Sequence, residues 1–134
     1  MGDLEHLPAR LPQISVVGYS GSLCTDRAYD LAYRVGRELA RRGVVLISGG
    51  LDGVMEAACK GVLDGGGLSV GIIPQDDFSF ANEYNRIVIP TGLGYVRDFL
   101  TAYSADGVIV IGGGVGTLME VSACLLYTSD AADE

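Results

Sequence analysis

Short apolar runs alternate along the chain with longer stretches in which apolar residues recur at helical spacing. The short runs are rich in valine and isoleucine, and they predict buried strands at residues 14–18, 44–47, 69–73, 86–89 and 107–111. Helical spacing predicts helices over 54–63 and 96–103, a last helix that opens within 112–120, and a first helix that carries Ala28, Leu31, Ala32, Val35 and Leu39. Thr25 or Asp26 can cap the first helix and Gly43 can end it, whereas the polar stretch 75–84 predicts a loop.

The order of these elements predicts the fold. Strands that alternate with helices and are apolar along their whole length form parallel sheets with helices on both faces. The sequence therefore predicts one α/β domain over residues 8–123, a doubly wound parallel sheet of the Rossmann-like type. The pattern leaves the strand order open. Ligands of such sheets bind outside the carboxyl ends of the strands, so we expect the functional residues there.

Composition narrows the class of partner. The chain has 134 residues, 49% of them hydrophobic, and a net charge of −8 from 17 acidic against nine basic residues. This balance disfavours a nucleic-acid partner, because tracking phosphates requires a basic face. The sequence shows no apolar run long enough to span a membrane and no signal-peptide pattern at its start, so we expect a cytoplasmic protein without a membrane partner.

Histidine and cysteine usage excludes several kinds of site. The single histidine, His6, precedes the first strand, and Cys24, Cys59 and Cys124 show no metal-type or disulfide spacing. The chain therefore lacks the residues for a zinc site built from histidines and for a Ser-His-Asp triad. We predict no metal site and no required cofactor.

Glycine-rich turns follow two of the predicted strands, at residues 48–53 and 112–117, and a smaller one follows the first strand. A Walker A loop is excluded because the single lysine, Lys60, lies within a predicted helix, and no G-x-G-x-x-G fingerprint occurs. Glycine lets oxygen atoms approach backbone amides, and a following helix start adds unpaired N–H groups. These turns predict phosphate binding, although the same glycines could serve only tight strand–helix packing. The phosphate-binding residues predicted from these two turns are Gly49, Gly50, Gly113, Gly114, Gly116 and Thr117.

The last eleven residues, 124–134, match one reading frame of a transposase-based sequencing adapter. We interpret them as read-through in a metagenomic open reading frame, and the native domain as truncated at its C-terminal side. The alternative is a natural acidic tail.

Four features together resemble the LOG-like, formerly lysine decarboxylase-like, Rossmann family. Residues 112–120, G-G-G-V-G-T-L-M-E, are similar to its P-G-G-x-G-T-x-x-E signature, and residues 48–55 to its G-G-G-x-x-G-L-M turn. Ser20-Gly21-Ser22 resembles the family's G-S-S turn, so the resemblance adds Ser20, Gly21 and Ser22 to the predicted phosphate-binding residues. Arg97 stands the same distance before Glu120 as the arginine of the family's M-x-x-R-K motif stands before its glutamate. Gly112 and Asp98 depart from the pattern, where the family has proline and lysine.

The resemblance implies a nucleotide-binding protein whose partner is a small molecule, either a nucleotide or a phosphorylated cofactor. The family includes phosphoribohydrolases that cleave nucleoside 5′-monophosphates, for which Arg97 and Glu120 would be the catalytic residues. It also includes carriers of the molybdenum cofactor, near which the G-G-G-x-G-T variant falls, so a non-catalytic carrier or sensor is the alternative. Thr117-x-x-Glu120 also fits a capping box, and Arg97 a surface arginine. Family likeness further implies a homodimer, while the acidic charge disfavours the single-stranded DNA binding of related Rossmann domains.

Overall fold

A computed structural model describes residues 10–112 of the chain. Its helices and strands follow the predicted alternation and are numbered here in chain order. They are β1 (Gln13–Gly18), α1 (Asp26–Arg41), β2 (Val45–Ser48), α2 (Val54–Asp64), β3 (Ser69–Ile73), β4 (Ile87–Pro90), α3 (Arg97–Tyr103) and β5 (Gly107–Ile111). Short 3-10 turns lie at Gly21–Leu23, Phe78–Phe80 and Gly94–Val96.

The described strands form one parallel sheet in the order β4-β3-β2-β1-β5. From β1 the chain adds strands on one side as far as β4 and then crosses the whole sheet to place β5 on the other side of β1. The strand order therefore reverses between β1 and β5, which is where sheets of this type bind ligands. The predicted fold class is confirmed, and the strand order supplies what the sequence pattern left open.

Element boundaries differ from the predicted ones only by small shifts. Thr25 is the N-cap of α1, and its Oγ1 accepts a hydrogen bond of 3.1 Å from Ala28 N. The predicted strand at 86–89 begins one residue later, at Ile87. The predicted helix at 96–103 begins at Arg97, because the preceding turn is of the tighter 3-10 type. The loop predicted at 75–84 contains a 3-10 turn whose N-cap is Asp77.

Helices α1 and α2 pack together on one face of the sheet. A Cβ at Gly36 of α1 would lie only 3.0 Å from the backbone carbon of Ala58 in α2, so the glycine lets the two helix backbones approach closely. Beneath the helix pair lies the main core, which includes the fully buried Val16, Leu46 and Val62. Burial of side chains of this size contributes about 1.5–3 kcal/mol each, so this face carries most of the fold's hydrophobic stabilisation.

The opposite face of the sheet is apolar as well. Val45, Ile47 and Ile72 form its buried cluster, and α3 crosses on this side between β4 and β5. Further along the same face Ile89 and Val110 are about half exposed within the described part of the chain. Helices on both faces are the arrangement of a doubly wound sheet.

The predicted turn and helix after β5 lie outside the described residues. This applies to the candidate site residues Gly113, Gly114, Gly116, Thr117 and Glu120 and to the segment 124–134. Within the part that is described, no helix is both long and apolar enough to cross a membrane.

Candidate functional site

The candidate site lies at the carboxyl edge of the sheet, where β1, β2 and β5 end at Gly18, Ser48 and Ile111. Parallel strands all point in the same direction, so the turns that follow them meet at this edge. The turn after β2 and the turn after β1 both lie within the described residues. Gly112 is the first residue of the third turn and the last residue described.

The turn after β2 is buried at its start and exposed at its tip. Gly49 and Gly50 are buried, and Asp52 is exposed. Gly50 adopts a φ of +73°, a left-handed conformation that favours glycine. Its amide donates to Oγ of the fully buried Ser48 over 3.1 Å. The turn therefore has one defined conformation, and it leads directly into the N-terminus of α2, the positive end of that helix's dipole.

Arg97 is the first residue of α3, which follows the edge strand β4, and its side chain lies beside the β2 turn. The stretch after β4 is anchored on the end of β3, because Thr91 N and Thr91 Oγ1 both donate to Ile73 O, over 3.1 and 2.8 Å. This anchoring sets the start of α3 beside the β2 turn. Arg97 is only 8% exposed, and its guanidinium lies so close to Gly49 that a Cβ there would be 3.1 Å from Arg97 Cζ. The interpretation of Arg97 as a surface arginine is wrong, because the side chain is buried against the glycine turn.

The guanidinium of Arg97 lies beside a carboxylate, and one of its N–H groups has no acceptor among the described residues. Its Nη1 lies 3.3 Å from Oδ1 of Asp98, which is 4% exposed. Burial raises the pKa of Asp98, and the neighbouring Arg97 charge opposes that rise. The Nε of Arg97 is buried and has no hydrogen-bond partner among the described residues. A buried donor of this kind costs about 1–3 kcal/mol when unmet, so its position calls for an acceptor such as a phosphate or carboxylate oxygen.

The turn after β1 is exposed and lies against the turn after β2. Ser20, Gly21 and Ser22 are all exposed, and Gly21 N donates to Asp52 Oδ1 over 3.1 Å. Gly53 packs beneath this turn, since a Cβ there would lie 2.7 Å from Ser20 Cα. The structure thus brings together the first two predicted glycine turns, and Asp52 acts as a link between them.

The third turn begins at the same place. Tyr19 N donates to Ile111 O over 3.3 Å, so β1 and β5 stay joined to their ends. Gly112 has a φ of +66°, and the ring of Tyr19 fills the space that its Cβ would occupy. The remaining candidates of this turn, Glu120 among them, lie outside the described residues.

Three tyrosines near the predicted turns and loops lie in different surroundings. Tyr19 lies at the junction of β1 and β5, beside the glycine turns. Tyr95 is 81% exposed just before α3. Tyr84 lies instead beside α2, with the Lys60 ammonium 5.8 Å from its ring centroid.

Two asparagines at the site escaped the sequence analysis. Asn82 and Asn85 belong to the loop after β3, for which the sequence predicts only a polar loop, and the side chains of both donate hydrogen bonds to the β2 turn. Their spacing in a polar loop beside a glycine turn is the one signal that could have drawn attention to them, because asparagine side chains commonly bond to nearby backbone. Over residues 10–112 no group of three or more metal-ligating side chains is gathered.

Geometry thus defines a class: a Rossmann-like α/β domain with a buried arginine and adjoining glycine turns at its topological switch point. The chain belongs to the SLOG cluster4 family, whose model matches residues 11–130. This confirms the LOG-like resemblance seen in the sequence.

Relatives with solved structures include two molybdenum-cofactor proteins. The molybdenum cofactor binding protein of the phototrophic bacterium Rippkaea orientalis is 37% identical, with a TM-score of 0.87 over 90% of this chain and 74% of that chain. The molybdenum cofactor carrier protein of Chlamydomonas reinhardtii is 33% identical, with a TM-score of 0.83 over 89% and 73%. A sequence relative from Oryza sativa subsp. japonica, named a probable cytokinin riboside 5′-monophosphate phosphoribohydrolase, is 33% identical over 82% of this chain and 52% of that protein.

Proposed function

We propose that the chain binds a phosphorylated nucleotide or nucleotide-like cofactor at the carboxyl edge of its sheet. The observation that carries this proposal is the buried guanidinium of Arg97 beside Gly49, with its Nε unmet by any described residue. A buried cation next to backbone amides at a helix start is well suited to phosphate oxygens. The glycines of the β2 turn would hold the phosphate, with Ser20, Gly21 and Ser22 along one side of it.

A carrier role is supported by the relatives that share most of the fold. Two of them are named for the molybdenum cofactor. The described residues fit the phosphate end of such a group, because the buried Nε of Arg97 lacks an acceptor among them. When bound, the cofactor would supply redox chemistry, and the chain's own residues would hold its phosphate.

A hydrolase role is supported by the Oryza relative, whose name specifies cleavage of a nucleoside 5′-monophosphate. In this role Arg97 would hold the phosphate end of the substrate. The Glu120 carboxylate would stabilise the oxocarbenium-like transition state or orient the attacking water. The turn residues Gly113, Gly114, Gly116 and Thr117 would complete the phosphate site in either role.

The proposed protein is a homodimer that resides in the cytoplasm and has no nucleic-acid partner. The net charge of −8 supports the last point, because it opposes binding to a polyanion. Sedimentation of the purified protein tests the dimer. Binding to oligonucleotides that weakens steeply with salt would contradict the absence of a nucleic-acid partner.

One assay separates the two roles. The protein is incubated with a panel of nucleoside 5′-monophosphates, beside a Glu120→Ala variant, and free base is followed chromatographically. Base released by the unaltered protein alone establishes the hydrolase and names its substrate. Stoichiometric retention of an intact nucleotide or of molybdenum cofactor, unaffected by Glu120→Ala, establishes the carrier. Absence of both binding and release would refute the proposed function.

A further inference from the structure

The loop between β3 and β4 is attached to the glycine turn after β2 by a set of short hydrogen bonds. Asn82 N donates to Gly50 O over 2.8 Å, and Asn82 Nδ2 donates to Leu51 O over 2.6 Å. Asn85 Nδ2 donates to the same Gly50 O over 3.1 Å. Two consecutive carbonyls of the turn are thus held by two side chains that the proposed binding site does not otherwise use.

These contacts determine where the amides of the turn point. In a trans peptide the C=O and the following N–H are fixed in one plane and point in opposite directions. Because Gly50 O and Leu51 O face the loop, the N–H groups of Leu51 and Asp52 face away from it. Neither amide donates to a partner within residues 10–112. Two adjacent unpaired amides at the entrance to a helix form a suitable cradle for an anion.

The two asparagines are themselves held in place. Asn82 Oδ1 accepts from Tyr84 N over 3.0 Å, which closes an Asx turn and fixes the Asn82 side chain. Asn85 Oδ1 accepts from the buried Cys59 thiol over 3.4 Å. A Cβ at Gly71 would lie 2.8 Å from Asn85 Cγ, so the glycine leaves the space that the amide group needs. Because the Oδ1 atom of each side chain is held by a hydrogen bond, its Nδ2 group can hold the turn in one orientation.

We infer that Asn82 and Asn85 are positioning residues that orient the amides of Leu51 and Asp52 toward the phosphate. This inference rests on the proposed function, since it specifies how that site binds its anion. Both asparagines act through the turn and neither touches the ligand. The required chemistry is an amide donor, which a carboxylate at the same position cannot supply.

The test uses the whole protein and inorganic phosphate as the probe. Asn85→Asp is nearly isosteric but places a carboxylate against Gly50 O, and Asn82→Ala removes the donor to Leu51 O. Phosphate affinity is measured by calorimetry, and the amide resonances of Leu51 and Asp52 are followed by NMR. Glu83→Asp serves as the control, because Glu83 is exposed, lies between the two asparagines and keeps its charge.

We expect both asparagine variants to bind phosphate roughly 10-fold to 100-fold more weakly, the loss typical of a donor group displaced by about 1 Å. The Leu51 and Asp52 resonances should no longer respond to phosphate, while Glu83→Asp retains the full response. Thermal unfolding establishes that the variants are folded at the assay temperature. Should Asn85→Asp not fold, Asn82→Ala alone decides.

The possible failures are distinguishable. If the unaltered protein binds neither phosphate nor any nucleotide, the proposed function itself fails. If the unaltered protein binds phosphate and folded asparagine variants bind it equally well, the positioning role is overturned and the proposed function stands. Phosphate-dependent shifts confined to other residues would also overturn the role, because the Leu51 and Asp52 amides would then not be the cradle.

Discussion

Replacing Gly49 by alanine should remove ligand binding while leaving the fold largely intact. The new Cβ would lie 2.7 Å from Met55 Sδ and 3.1 Å from Arg97 Cζ, with Arg97 Nη1 closer still. Carbon atoms in ordinary contact are about 3.5–4.0 Å apart, so the guanidinium has to move by roughly 1 Å. All three of these atoms belong to the outer parts of flexible side chains, which can shift without moving the backbone.

The two consequences of this movement differ in size. Overpacking costs about 1–3 kcal/mol, and the low end applies here because the displaced atoms belong to flexible side chains. Displacing a binding group by about 1 Å can weaken a productive interaction up to about 100-fold. The predicted signature of Gly49→Ala is therefore a small loss of stability with a large loss of affinity for nucleoside monophosphates.

The assay combines urea unfolding with calorimetric binding of a nucleoside monophosphate that the unaltered protein retains. A matched comparison is Gly18→Ala, where the Cβ would strike the backbone carbonyl of Ile111 in β5. Backbone cannot move aside, so this variant should lose about 3 kcal/mol or more of stability. Unchanged affinity in folded Gly49→Ala would refute the role assigned to Arg97, because the guanidinium cannot keep its place in that variant.

Three further changes have defined outcomes. Asp98→Asn removes the negative charge beside Arg97, so calorimetry should show that phosphate binds roughly threefold to tenfold more tightly. Urea unfolding should show that the variant is less stable. Weaker phosphate binding would contradict this prediction. Gly36→Ala sets a Cβ against the backbone carbonyl of Ala58 in α2 and should destabilise by about 2 kcal/mol or more in urea, the cost of a backbone clash less the helix-propensity gain of about 1 kcal/mol. The Arg10 guanidinium, with a backbone amide, holds the pKa of Asp106 at about 2, below its unfolded value of about 3.9. This carboxylate therefore stabilises the fold above about pH 4 and loses that effect as the pH falls toward 2; Asp106→Asn should abolish that component in acid titrations of stability.

The sequence pattern was sufficient for the elements and the fold class. Strands such as β3 are flanked by glycine and proline, and their apolar runs are unbroken, so the apolar pattern and the flanking residues predict the same strand. The pattern could not show the strand order, because every strand is apolar on both faces and any of them could occupy the centre. The β1–β5 pairing depends on the crossover through α3, which local sequence does not encode.

Candidate site residues were predictable where a motif carries them. Gly49 and Gly50 stand in a turn with a recognisable pattern, and Arg97 was found by its distance from a second motif. Burial of Arg97 was not predictable, because it follows from the anchoring of Thr91 on β3, far away in the sequence. Asn82 and Asn85 were missed for the same reason: their partners lie about 30 residues earlier, across the sheet edge.

The pairing of β1 with β5 has a consequence for how the protein acquires its site. Ile14 pairs with Gly107 across more than ninety intervening residues, whereas β1, α1, β2, α2 and β3 contact their near neighbours in sequence. Closing so long a loop costs entropy that only late contacts repay, so pairings of this span form slowly. The α1–α2 face can condense first, and the crevice between β1 and β5 then appears as the chain completes its folding. Ligand binding would in that case be a property of the finished native state alone, and ligand present during refolding would slow unfolding without accelerating the early steps.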